Sequence, residues 1–166
     1  ARDDCLSCPD DFAGTGGVCS QCSASQVAND DSTACAKCPD GKVKVGSECA
    51  VCVGIGEYAN ADGVTCSRCA AGSEVNDGQT GCRLCPAGMV QGSGTAGTCS
   101  QSCSPGTAPN AARTACTVCP GNQVSTGEEC MTCPGGSQPN AAQTECELCP
   151  AGEYRAADGS ACMPCQ

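Results

Sequence analysis

The cysteines come in pairs, and the pairs come at regular intervals. Twenty-two of them form eleven doublets, at 5/8, 19/22, 35/38, 49/52, 66/69, 82/85, 99/103, 116/119, 130/133, 146/149 and 162/165. Ten doublets are CxxC and Cys99/Cys103 is CxxxC, with 14 to 18 residues from one doublet to the next. A period of this size marks a tandem array of small units, none of which buries a core alone. No linker, change of composition or block of charge interrupts it. Residues 1–166 therefore read as one continuous array of about ten CxxC-bounded repeats.

The units share a readable local grammar. Pro follows the second cysteine at Pro9, Pro39, Pro86, Pro120, Pro134 and Pro150, with a glycine close behind at Gly41, Gly88, Gly121, Gly135 and Gly152. Pro fixes φ and Gly permits φ > 0, so the pair specifies a tight turn. One larger residue follows, at Val27, Val43, Val90, Val124 and Tyr154 five positions after the cysteine and at Tyr58 and Val75 six after. Then comes a stretch such as "NDDSTA", "NADGVT", "NDGQTG" or "AADGSA", where a second turn is expected. Each unit reads as a small irregular β-hairpin closed at its base by cysteines. No window sustains a 3.6-residue apolar period, so the expected fold is small and disulfide-rich. It is an elongated rod of tandem hairpin loops with little regular secondary structure and no helices.

Composition says what must hold such a rod together. Val, Ile, Leu, Met, Phe and Tyr total 21 of 166 residues, with no Trp. Burial gains roughly 25 cal/mol per Å² of apolar surface, whereas ordering the backbone costs about 1–2 kcal/mol per residue. Side chains this sparse cannot offset that cost, and the cysteines must. A redox CxxC needs a helix N-terminus in a βαβ setting to lower the thiol pKa, and the sequence has no such setting. Zinc tetrathiolates use a C-x2-C pair repeated after 15 to 20 residues; Cys66–Cys85 has a gap of 12. Eleven doublets also do not divide two to a metal, and no His is present. Structural disulfides remain, at a cysteine share of about 13 % (22/166), above the level typical of disulfide scaffolds. They imply an oxidising compartment, hence secretion or the cell surface.

Charge narrows the partners. Eight Lys+Arg against eighteen Asp+Glu leave −10, which repels nucleic-acid phosphate and anionic membrane surfaces. No apolar run approaches the length needed to span a bilayer. With neither a charged-then-apolar leader before Ala1 nor a hydrophobic tail after "CMPCQ", we expect a secretion signal already removed. A lipid anchor is then absent, cut off or outside this stretch. The acidic pairs Asp3/Asp4, Asp10/Asp11 and Asp30/Asp31 lack the alternating ligands and closing Glu of a calcium loop and read as solvated turns. Without His, no hydrolytic triad of the usual kind assembles, and nothing pairs Glu57, Glu74 or Glu153 into an acid/base set. We therefore expect neither an enzyme nor a cofactor. Lys42 and Lys44, flanking Val43, read as the solvated face of a hairpin. No Asn is an N-x-Ser/Thr acceptor, while Ser- and Thr-rich loops offer hydroxyls for O-glycans.

The unit "CPAGEYRAADGSAC" (Cys149–Cys162) resembles the small loop module of TNF-receptor-type cysteine-rich domains and the ephrin-receptor-like cysteine-rich repeats of protist surface proteins. The segment "TCSQSCSPGTAPNAARTACTVC" (Thr98–Cys119), with the closing "CMPCQ", resembles the surface immobilization antigens of ciliates. The resemblance covers the whole chain in pattern. It implies an abundant secreted surface-coat protein, usually held by a glycolipid anchor. This chain departs from those antigens in having three aromatic residues, Phe12, Tyr58 and Tyr154, and no hydrophobic C-terminal signal. The expected function is an extracellular structural protein, a coat or filament component; the alternative is a ligand-binding ectodomain of TNF-receptor type.

The TNF-receptor-type loop also implies a connectivity, the second Cys of one doublet with the first of the next. Applied throughout, it gives Cys8–Cys19, Cys22–Cys35, Cys38–Cys49, Cys52–Cys66, Cys69–Cys82, Cys85–Cys99, Cys103–Cys116, Cys119–Cys130, Cys133–Cys146 and Cys149–Cys162. Crossed pairing of doublets, as in Cys5–Cys19 with Cys8–Cys22, is the rival and would orphan Cys99/Cys103. The ladder leaves Cys5 and Cys165 over, and leftover cysteines in a secreted chain point to pairing beyond it, Cys165 with the Cys5 of a head-to-tail copy or, if the chain is a fragment, each with a further repeat. A compact domain of this length has a radius of gyration of about 15 Å. Small-angle scattering of the isolated chain is expected to give roughly twice that or more, and a value near 15 Å would refute the rod.

Overall fold

The computed structural model describes residues 8–92, 97–157, 159 and 161–165. Among these, twenty short strands form ten two-stranded antiparallel sheets and no helix occurs. Each sheet is one hairpin, and the hairpins follow one another along the chain. Hairpin 1 pairs Phe12–Ala13 with Ser20–Gln21, hairpin 2 Gln26–Ala28 with Cys35–Lys37, and hairpin 3 Val43–Val45 with Glu48–Ala50. Hairpin 4 pairs Glu57–Ala59 with Cys66–Arg68, hairpin 5 Ser73–Val75 with Cys82–Leu84, and hairpin 6 Met89–Gln91 with Cys99–Ser102. Hairpins 7 and 8 pair Thr107–Pro109 with Cys116–Val118 and Gln123–Val124 with Met131–Thr132. Hairpins 9 and 10 pair Ser137–Pro139 with Cys146–Leu148 and Glu153–Arg155 with Cys162–Pro164. The chain falls into two compact units, Ala1–Ala70 with Val75–Arg83, and Ala71–Glu74 with Leu84–Gln166.

Six hairpins, 1, 3, 6, 8, 9 and 10, begin with the turn that the Pro announces. The Pro carbonyl accepts the N–H three residues on, from Phe12 to Pro9 (3.0 Å), Lys42 to Pro39 (3.1 Å), Met89 to Pro86 (3.1 Å) and Glu153 to Pro150 (3.0 Å). The third residue of these turns has positive φ at Asp11, Gly41, Gly88 and Gly152, the requirement of a type II turn. That residue's carbonyl then accepts the N–H of the cysteine that ends the doublet. Cys22 donates to Asp11, Cys85 to Gly72, Cys103 to Gly88, Cys119 to Gly106 and Cys165 to Gly152, at 2.8–3.1 Å. Here the CxxC spacing finds its cause. In most hairpins the first cysteine opens the return strand and the two residues between form its body. The second cysteine closes the base and starts the next unit.

The structure holds the disulfide ladder Cys8–Cys19, Cys22–Cys35, Cys38–Cys49, Cys52–Cys66, Cys69–Cys82, Cys85–Cys99, Cys103–Cys116, Cys119–Cys130, Cys133–Cys146 and Cys149–Cys162. Crossed pairing does not occur, since Cys19 is joined to Cys8 and Cys22 to Cys35. Cα separations run from 5.4 to 6.0 Å, inside the range a disulfide spans without moving the backbone. The buried residues are the half-cystines Cys22, Cys69, Cys85, Cys99, Cys103, Cys119 and Cys133 with Ala13, Val43, Ala59, Val90, Ala108 and Val124. Sulfur and small aliphatic groups thus make up most of the interior, with Cys85 at 0 % and Val90 at 1 % exposure, beside the buried Ser125 and Ser137.

Hairpins contact neighbours one and two places along. To the next hairpin run backbone bonds, from Gly14 N–H to the Ser32 carbonyl, Ala59 to Gln79, Gln91 to Arg113 and Ser125 to Gln143, at 2.9–3.0 Å. Two places along, the base of one hairpin meets the tip of another through glycine. A Cβ added at Gly41 would strike the Gly78 carbonyl, at Gly72 that of Ala112, at Gly88 would press on Gly127 and Glu128, and at Gly106 would strike Ala142. Each of these glycines also has positive φ. Gly72→Ala is expected to cost about 1–3 kcal/mol in denaturant unfolding with disulfides intact. Gly135→Ala, with ordinary φ and no atom near the added Cβ, should stay within about 0.5 kcal/mol. Equal effects would show that this packing contributes nothing.

Candidate functional site: hairpin tips, ladder end and surface

The outer ends of hairpins 2, 5, 7 and 9 are each built around one asparagine. In hairpin 2 the Asn29 Oδ1 accepts the backbone N–H of Thr33 (2.8 Å) and Ala34 (3.0 Å), and Nδ2 donates to the Thr33 hydroxyl (3.0 Å). Asn76/Thr80, Asn110/Thr114 and Asn140/Thr144 repeat this clasp. Within it, the residue three after the Asn is left-handed: Ser32, Gln79, Arg113 and Gln143 have φ of 52–56°. The clasp satisfies the donors that the strained turn would otherwise leave open, and it aims the carbonyl of the left-handed residue at the preceding hairpin. Asn-rich turns were legible in the sequence, whereas the five-residue Asn-x-x-x-Thr device was missed; its recurrence at 29, 76, 110 and 140 was the available signal.

Hairpin 4 solves the same problem with Asp62. Its Oδ2 accepts the Thr65 hydroxyl (2.6 Å), and Oδ1 accepts the N–H of Thr65 (2.9 Å) and Val64 (2.8 Å). The Thr65 hydroxyl first, then these two backbone donors, hold the Asp62 carboxyl below the usual carboxylate range.

The polar side chains with the longest reach are turned onto neighbouring hairpins. Arg113 donates to the Cys85 carbonyl, and Arg155 to the carbonyls of Cys133 and Pro134 (3.1 Å to the latter). Gln143 Nε2 donates to the carbonyls of Cys119 (3.0 Å), Pro120 (2.7 Å) and Gln123 (3.2 Å). Glu74 accepts the Cys99 N–H (3.3 Å). Lys44 corrects an expectation: its side chain is 11 % exposed, ion-paired with Asp11 and donating to the Ser23 carbonyl (3.2 Å). Alternation alone sent it outward, but hairpin 1, two places back, supplies a carboxylate that draws it in. Lys42 is exposed.

Of the acidic pairs, Asp10/Asp11 lies at the base of hairpin 1, where Asp11 meets Lys44, and Asp30/Asp31 is exposed on the tip of hairpin 2. Asp3/Asp4 and Cys5 lie outside the described residues. Glu57 pairs with Arg68 (3.1 Å) across hairpin 4, and Glu153 sits in hairpin 10. Among the described residues no cluster of three or more His, Cys, Asp or Glu is placed to hold a metal. Cys165 is a free, exposed thiol.

The surface is less uniformly polar than the composition suggests. Val53, at 96 % exposure, and Leu148, at 83 %, stand out with Ile55, Leu84 and Val118. Leu84, Val118 and Leu148 each precede the second cysteine of their doublet, at one position of hairpins 5, 7 and 9.

Ten intramolecular disulfides fit an oxidising, extracellular or secretory environment. Among the described residues no helix is long and apolar enough to cross a membrane. The Asp62 clasp makes a pH prediction. A carboxyl whose folded pKa is depressed contributes stability above its unfolded value near 3.9, lost as pH falls through the folded value. NMR titration should place Asp62 below the ordinary range, and Thr65→Val should raise it; an unchanged pKa in the variant would remove the hydroxyl as the cause. Compared with protein-family models and with curated protein sequences, the chain gives no match.

Proposed function

We propose that the protein is an extracellular structural component of a surface coat or filament, similar in kind to the ciliate immobilization antigens, with no catalytic role. One observation carries the reading: the arginines among the described residues, with Gln143 and Lys44, are committed to partners within the array itself. Arg113, Arg155, Gln143 and Lys44 donate to backbone carbonyls of the array itself, and Arg68 and Arg83 pair with Glu57 and Asp77. A ligand-binding hot spot needs such groups, or aromatic ones, free to enter a partner's pocket. Beside the exposed aliphatic residues, many groups pointing outward are small, acidic or hydroxylic, suited to spacing, shielding and O-glycan attachment. The net charge of −10 disfavours nucleic acid and anionic membranes as partners.

A second reading, a ligand-binding ectodomain of TNF-receptor type, draws on the exposed Leu84, Val118 and Leu148. Imaging native material separates the two, as a coat or filament protein forms continuous layers or fibres and a receptor ectodomain stands as isolated molecules.

In the first reading the partners are further copies joined head to tail. The thiols for that junction are the free, exposed Cys165 and Cys5, which the disulfide ladder leaves over in the sequence. Electrophoresis of full-length material with thiols blocked and no reductant is expected to show a series of multimers that collapses on reduction. Cys165→Ser should abolish the series. A lone monomer with both Cys5 and Cys165 alkylated would overturn the junction.

A further inference from the structure

The ladder decides what a broken peptide bond does to the chain. Each bridge closes one loop, from the second cysteine of a doublet to the first of the next. A cut inside a loop leaves both pieces joined through sulfur. A cut between the two cysteines of a doublet is crossed by no bridge and separates the chain. Among the described residues Lys42, Lys44, Arg113 and Arg155 lie inside loops, those closed by Cys38–Cys49, Cys103–Cys116 and Cys149–Cys162. Lys37, Arg68 and Arg83 lie within doublets.

These three positions differ in how open they are. Arg68 pairs with Glu57 and Arg83 with Asp77, whereas Lys37 is exposed and no ion pair among the described residues holds it. The peptide bond after Arg68 leads into Cys69, 4 % exposed, whose N–H donates to the Gly56 carbonyl at 2.9 Å. The bond after Lys37 leads into the half-buried Cys38, whose N–H lies 3.4 Å from the Ser25 carbonyl. In hairpins 1, 4, 5, 6, 7, 9 and 10 the corresponding bond is 2.8–3.1 Å. The cause is local, since the base turn of hairpin 2, Cys22–Ser25, has no Pro and no residue of positive φ three after the cysteine. Backbone direction adds to this. Asn29 N–H donates to the Ala34 carbonyl, and the register then pairs Ala28 with Cys35, Val27 with Ala36 and Gln26 with Lys37. Bonded and non-bonded pairs alternate in an antiparallel ladder, so the main-chain groups of Cys35 and Lys37 turn away from the partner strand. Among the described residues no neighbouring hairpin takes them up. An extended segment with outward N–H and C=O groups is what another protein's strand edge pairs with. A lysine on it suits a specificity pocket floored by a carboxylate, the trypsin type.

We propose that Lys37–Cys38 is a processing site for an endopeptidase of trypsin-like specificity, where one cut separates residues 1–37 from 38–166. The step is hydrolysis: water adds across the bond, leaving a carboxylate on Lys37 and an amine on Cys38, and no disulfide changes. The proposal goes beyond the coat or filament reading and does not depend on it.

The test is limited digestion of the Cys165→Ser chain by trypsin, thiols blocked, beside the same chain carrying Lys37→Gln. Products are read by denaturing electrophoresis with and without reductant and by mass spectrometry. Peptide mapping of the ten disulfides confirms that the variant is folded. We expect the first separation without reductant to give fragments 1–37 and 38–166, the second beginning at Cys38. The Lys37→Gln chain should remain in one piece without reductant over the time that divides its parent completely. Separation first after Arg68 or Arg83, or of the variant as fast as the parent, would overturn the site. So would a chain left whole, or one that divides only on reduction, the mark of cuts confined to loops. Digestion through general unfolding cuts all three doublet positions alike, and that result too would refute the proposal.

Discussion

A hairpin whose strands are two to four residues long is not stable in water by itself. It has few cross-strand bonds and nothing apolar to cover. Here each hairpin is closed by a disulfide joining residues 11 to 14 apart in sequence. A closure of that length restricts the unfolded chain by about 3 kcal/mol on the entropy model, and it fixes which residues face each other before any packing occurs. Everything else in the structure depends on that restriction: the base turn, the short ladder and the Asn clasp each act on a loop already held at its neck.

Packing then works through backbone and not through side-chain volume. Carbonyls of left-handed residues reach the strand of the neighbouring hairpin, and glycine at the base lets a tip approach to backbone contact. With Val and Ala as its largest buried aliphatics, an interior of this kind tolerates little in the way of added atoms at its seams. Polar side chains supply the remaining adhesion, and those that do so, Arg113, Gln143 and Arg155, lie on or beside the tips.

The hairpin array was legible because its signals are local. Cysteine spacing, the Pro-x-Gly turn and the Asn-rich loop each lie within one repeat, and each finds its counterpart in the structure at Pro39–Lys42 or Asn110–Thr114. What stayed hidden depends on residues one or two repeats apart. Lys44 reads as solvent-facing until Asp11, 33 positions earlier, is brought beside it. Gly72 reads as a turn residue, and its second duty, admitting Ala112, follows only from the stacking of hairpin 7 on hairpin 5. The exposed Leu84, Val118 and Leu148 fall in strand positions that pattern alone cannot assign to a face, since strands so short show no usable alternation.

The ladder also sets how the chain carries tension. A pull transmitted from one hairpin to the next need not pass around the loop, because the disulfide joins its two ends directly. The covalent path enters at Cys22, crosses to Cys35, runs through Ala36 and Lys37 to Cys38 and crosses again to Cys49. Per repeat it consists of one crossing of 5.4–6.0 Å between Cα atoms and, for a CxxC, three backbone steps of about 3.8 Å each. The residues of the loop lie off this path, so pulling a hairpin open releases none of their length. A polymer linked this way behaves as a tether of almost fixed contour, taking load through sulfur while its loops remain free to vary in sequence.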